Sequence, residues 1–174
     1  PALLAPADVT ATGTDGGFKA VYGIEATTPA YRVRYGTQSG QYDNEFISNT
    51  PNGTIIVEGL VNGSTYYGVV EAIDGQEVSP PSAEFQVKPD VSAPSKIIAG
   101  SGDQTAQIEF APVEGALGYS LQVVSGSEVV STFSSDKPAF RIGNLTNGSP
   151  FVVRITSIGK GGAGTGYSET VVTP

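Results

Sequence analysis

The chain has 174 residues, of which 9 are basic and 17 acidic, giving a formal charge of −8, and it contains no Cys, His, Met or Trp. Lacking Cys and His, it can build no Ser–His or Cys–His nucleophile, no thiolate or imidazole metal site, and no disulfide from which a compartment could be read. The acidic balance repels phosphate backbones and argues against nucleic acid as a partner, and no apolar run approaches the roughly 20 residues of a membrane helix, so no membrane insertion is expected. The 23 Gly and 12 Pro, with frequent Thr, Ser and Val, suit short strands joined by tight turns and make poor helix material.

In chain order, the apolar residues recur with a period of two, as expected of strands with one buried face. Phe18, Ala20 and Tyr22 alternate with Lys19 and Val21, and Tyr31, Val33 and Tyr35 alternate with Arg32 and Arg34. Ile55 and Val57 lead into Leu60. Tyr66, Gly68, Val70 and Ala72 form the next inward set, Asp74-Gly75 signals a tight hairpin, and Phe85 and Val87 close the stretch. The pattern then restarts. Ala106, Ile108 and Phe110 are followed by Tyr119, Leu121 and Val123, then Phe140, Ile142 and Leu145, then Phe151, Val153 and Ile155, with Val171 as the last inward residue.

The restart is an internal repeat. A shift of 88 places Ala5-Pro6 on Ala93-Pro94, Asp15 on Asp103, Tyr22 on Phe110, and Tyr31 on Tyr119. A shift of 85 places Leu60-Val-Asn-Gly63-Ser64 on Leu145-Thr-Asn-Gly148-Ser149, so the second copy is three residues shorter between residues 121 and 140. Pro89 and Pro94 mark an extended linker and set the expected domains at 1–89 and 90–174. The first domain carries 4 basic and 10 acidic residues, the second 5 and 7. The sequence opens on Pro1 with no leader-like segment after it. The expectation is a processed piece of a larger secreted protein, and the alternative is a small protein that has lost its initiator Met.

Within this pattern the segment Leu60-x-x-Gly63-x-x-Tyr66 resembles the tyrosine corner of fibronectin type III domains, and Tyr31-Arg-Val-Arg-Tyr35 resembles their third strand. The second copy matches the corner with Leu145, Gly148 and Phe151, and Phe151 lacks the hydroxyl. Tyr22 and Phe110 stand where the family carries Trp, and no Arg-Gly-Asp occurs. The resemblance covers essentially the whole chain. It implies an all-β protein of two tandem, seven-stranded fibronectin type III-like β-sandwiches.

The chemistry that remains is sparse. Asp43 with Glu45, and Asp74 with Glu77, are close in sequence, but a glycosidase needs two carboxylates across a cleft. No spaced Asp run for calcium occurs among Asp15, Asp43-Asn44-Glu45 and Asp74. In Lys160-Gly-Gly-Ala-Gly-Thr-Gly166 the Lys precedes the glycines and no helix follows, so a flexible loop between the last two strands is expected in place of a phosphate cradle. Asn52, Asn62, Asn144 and Asn147 open formal glycosylation sequons, although Asn-Gly is also turn chemistry and Pro150 disfavours the last. Tyr42, Phe46, Tyr67, Phe133 and Tyr167 fit the inward sets poorly. Tyr42, Phe46, Lys160 and Tyr167 are the candidate partner-binding residues, on the segment from Gly40 to Phe46 and the loop from Lys160 to Tyr167.

These observations point to a non-catalytic spacer and protein-interaction or adhesion unit outside the cell, from a bacterial surface protein or a carbohydrate-active enzyme. No cofactor is expected. The partner is a protein or a cell-surface carbohydrate, engaged by several copies in a larger assembly. The alternative is a virion decoration or tail-attachment protein on the virion surface.

Overall fold

The alternating stretches pair as antiparallel strands in the computed structural model, which describes residues 2–49 and 52–174; Pro1 lies outside the described residues, and no helix occurs among them. The chain divides into two units, Pro1–Pro89 and Asp90–Pro174.

The first unit contains β1 (Thr10–Thr14), β2 (Gly17–Val21), β3 (Ala30–Gly36), β4 (Asn44–Ser48), β5 (Thr54–Val57), β6 (Tyr66–Asp74), β7 (Glu77–Val78) and β8 (Phe85–Val87). One sheet runs β1-β2-β5. The other runs β4-β3-β6, with both β7 and β8 on the far side of β6. Those two pieces are one interrupted strand, which leaves seven strands across two sheets. The interruption is chemical. Pro80 and Pro81 cannot donate to a ladder, so Ser79 and Ser82 on either side take over. Ser79 and Ser82 donate their backbone N–H to Ala72 and Val70 O, while the Ala72 and Val70 N–H groups donate to the two serine hydroxyls at 2.8 and 2.9 Å. The core is made of Phe18, Ala20, Tyr22, Tyr31, Val33, Ile55, Val57, Tyr66, Val70, Ala72, Phe85 and Val87.

The second unit repeats the plan with β9 (Ser95–Gly102), β10 (Thr105–Ala111), β11 (Gly118–Ser125), β12 (Glu128–Ser135), β13 (Ala139–Ile142), β14 (Phe151–Gly159), β15 (Gly162–Ala163) and β16 (Ser168–Val172). Its sheets run β9-β10-β13 and β12-β11-β14, and β15 and β16 share the edge of β14. The missing three residues can be located. Val33 pairs with Phe46 but Leu121 with Phe133, so one is lost in the β11–β12 hairpin, and the other two leave the loop that follows.

Two expectations are corrected. Val171 is 61% exposed and Val172 is the buried residue, because Val172 pairs with inward Phe151 and Val171 with Val152. The segment from Lys160 to Tyr167 is also not a free loop. After the short β14–β15 hairpin, Thr165 is caught by the Asp90 carboxylate, which accepts from its N–H at 3.0 Å and its hydroxyl at 2.5 Å. Gly164 donates to Ser157 O at 2.9 Å and lies so close to Val91 that an added Cβ would sit 2.7 Å from the Val91 carbonyl oxygen. Glycine here serves close approach.

Candidate interaction surface

The corner motif comes together in the first unit. Leu60 is half-buried, Tyr66 is buried, and the Tyr66 hydroxyl accepts from Val61 N–H at 3.1 Å. Gly63 takes a positive φ of 85°, which a Cβ disfavours, and donates to Pro89 O at 2.8 Å. In the second unit Leu145 and Phe151 are buried, and Gly148, at φ 78°, donates to Pro174 O at 2.8 Å. A second hydroxyl bond, not anticipated from sequence, occurs in both units. Tyr31 accepts from Glu25 N–H at 2.8 Å and Tyr119 from Val113 N–H at 2.9 Å.

Beside each corner lies a polar clasp that sequence reasoning took for a sequon or a simple turn. The Asn62 side chain accepts from Gly16 N–H at 2.8 Å and donates to Asp15 at 2.9 Å. Asn147 does the same with Gln104 N–H at 2.7 Å and Asp103 at 2.8 Å. Both amide nitrogens are thereby committed to the fold. The repeat held the signal, since Asp15 falls on Asp103 at one shift and Asn62 on Asn147 at the other.

The candidate partner residues fare differently. Tyr42 is half-buried and held. Its hydroxyl donates to Glu84 in a very short bond, and Arg34 lies 5.6 Å from its ring centroid. Ser39 and the Gly40 N–H complete the cradle, and these donors hold the Glu84 carboxyl below the usual carboxylate range. Burial, then the bond to Glu84, pushes the Tyr42 hydroxyl up. Tyr167 is half exposed and packs over Arg154, 5.1 Å from its centroid, while Arg154 pairs with Glu169 at 3.0 Å. Lys160 is exposed at the β14–β15 hairpin. Among the described residues no three acidic side chains gather as metal ligands.

Phe46 is another matter. It lies on edge strand β4 opposite buried Val33, so it faces the core side, yet it remains 47% exposed. Phe133 stands in the same place on edge strand β12, opposite buried Leu121, and is 36% exposed. The cause is sheet width. The sheet bearing each Phe is four strands across and the opposing sheet three, so the edge strand overhangs. Ile47 on β4 and Val129 and Val130 on β12, all passed over in the sequence, add exposed apolar surface. On the outer face of the first unit, Glu71 is buried to 5% exposure and tied to Arg32 by bonds of 3.0 and 2.9 Å, with Glu45 3.4 Å from the same guanidinium.

No family model matches the sequence, and no curated protein matches it. Among solved structures, a two-domain fibronectin type III segment of chicken tenascin is similar over 97% of this chain and 99% of that one, at 18% identity with a TM-score of 0.59. The chicken interferon gamma receptor alpha chain is similar over 99% of this chain and 98% of its own, at 14% identity with a TM-score of 0.50. At such identities the likeness is one of fold. The corner, the seven-strand plan in each unit and these neighbours agree that the chain folds as two tandem fibronectin type III β-sandwiches.

Proposed function

We infer that the chain works outside the cell as a non-catalytic spacer and protein-interaction unit, of the kind carried by bacterial surface proteins and modular carbohydrate-active enzymes. The observation that carries this reading is the paired overhang: both copies of the repeat keep an aromatic, Phe46 and Phe133, on a free sheet edge where it does little for the core. A surface aromatic beside unpaired backbone groups is what a protein partner can grip, by strand addition and by burying the ring. The receptor among the like-folded chains supports the same role. Tyr42, Lys160 and Tyr167 become secondary contacts, since Tyr42 and Tyr167 are already engaged inside their own modules.

The test is the double variant Phe46→Lys with Phe133→Lys in the native parent assembly. Loss of attachment with unchanged melting supports an edge-borne interface. Full attachment by the double variant leaves the chain a plain spacer.

A further inference from the structure

Natural sheets guard their edges with charge, Pro, a cover or brevity, because an open row of N–H and C=O groups templates pairing with another strand. Strand β4 is guarded. It is five residues long, carries Glu45 at its second position and follows Asp43. Strand β12 is not. It is eight residues long, Glu-Val-Val-Ser-Thr-Phe-Ser-Ser, and its first seven residues are all exposed. Among the described residues it pairs on one side only, with β11. Its sole charge, Glu128, sits at the first position, and residues 129–135 contain no Lys, Arg, Asp, Glu or Pro. A bulge between Val123 and Val124 perturbs the end near Val129, while Ser131–Ser135 keep a regular ladder.

We propose that β12 is a homotypic docking strand: two copies of this chain pair β12 to β12, antiparallel, and join their two sheets into one. The choice of a second copy follows from charge and composition. Antiparallel self-pairing about Phe133 opposes no like charges within residues 129–135 and sets Glu128 opposite Pro138, whereas pairing about Thr132 would set it against Asp136. The same pairing of β4 about Phe46 would set each Glu45 opposite Ile47 and leave the two carboxylates diagonal neighbours on one face. Pairing about Phe133 keeps the core-side faces together, so the two Phe133 rings come within cross-strand reach and cover each other's exposed edge. The backbone groups of β12 that point away from β11 then gain partners. This proposal rests on the reading of the sheet edges as the binding surface, and narrows it to one strand and one occupant.

The experiment is sedimentation of the full chain from micromolar to millimolar concentration, with hydrogen exchange of the β12 amides in the same samples. The expected result is a reversible monomer–dimer equilibrium that slows exchange across residues 129–135. Phe133→Lys should weaken it by at least about tenfold, through the lost ring contact and the new like-charge pair, and Phe46→Lys should leave it unchanged. Val129→Lys, whose side chain is already half exposed, is the second probe and should also weaken it. A monomer at every concentration overturns self-pairing, as does a dimer indifferent to both β12 variants. If the chain stays monomeric but Phe46→Lys with Phe133→Lys still abolishes attachment in the parent assembly, the edges serve a foreign partner and only the homotypic step fails.

Discussion

Replacing Tyr22 by Phe should make the protein more stable, although it removes a polar group from a native core. Tyr22 is 5% exposed, and its hydroxyl is buried without a hydrogen-bond partner among the described residues. The ring packs 4.8 Å from that of Tyr31 and would do so equally as Phe. The repeat has already made the change, with Phe110 in the equivalent place against Tyr119 at 4.7 Å. An unsatisfied buried hydroxyl costs about 1–3 kcal/mol. Allowing for some local relaxation, Tyr22→Phe should add about 1 kcal/mol, or roughly 4–8 °C in the first module's Tm for a domain of this size. Alkali gives a second reading. Burial, then the neighbouring Tyr31, pushes the Tyr22 hydroxyl up to about 12 from an ordinary 10. The folded state thus holds that proton more tightly than the unfolded chain. The associated stability is complete below pH 10 and is lost as pH rises through about 12, a loss on the order of 2–3 kcal/mol. Tyr22→Phe should remove that loss and leave those of Tyr35, which burial and then Tyr66 push up, and Tyr42, which burial and then the bond to Glu84 push up. Calorimetry of the whole chain across this pH range suits the test, since the second module's transition is an internal reference. An unchanged or lowered Tm, or an undiminished alkaline loss in the variant, would refute the argument.

Tyr66→Phe should cost the first module about 1 kcal/mol by removing the bond from Val61 N–H, and Phe151→Tyr should return about as much to the second, both by urea denaturation. Glu71→Ala should cost about 2 kcal/mol, because it removes both short bonds to Arg32 and leaves that guanidinium only the exposed Glu45, and added salt should barely alter this; high-salt melts check both points. Deleting Gly161–Gly164 should lower the second module's Tm, since it removes β15 and the Gly164 contacts with Ser157 and Val91. The depressed Glu84 carboxyl stabilises its cradle above the usual carboxylate range and ceases to as pH falls through its folded value, so Tyr42 resonances should shift at a pH below that of a free glutamate.

The strands were legible because period-two alternation survives wherever one face is buried: Phe18, Ala20 and Tyr22, or Phe151, Val153 and Ile155, point inward as expected. Alternation fails at apolar doublets. Val171-Val172 reads equally well in either phase, and only pairing with Phe151 settles which residue is inside. Glycine content misled at residues 160–167, because the bond holding Thr165 comes from Asp90, 75 positions away, and leaves no local trace. The edge aromatics show a different limit. Local pattern leaves Phe46 and Phe133 outside the inward sets; only their pairing with Val33 and Leu121 puts them on the core side, and their exposure depends on the width of the opposing sheet, a property of topology that no window of sequence contains. The Asp–Asn clasps were in principle readable, since the repeat keeps both partners at matching shifts.

The claim that the sheet edges are the working surface is tested most directly by site-specific photo-crosslinking in the native assembly. A photoreactive residue at position 46 or 133 is compared with one at Lys19 or Arg141, on exposed positions of β2 and β13 in the opposite sheets. The account predicts discrete protein crosslinks from 46 or 133 and none from 19 or 141. Crosslinks confined to 19 or 141 would place the working surface on the other sheets and contradict it.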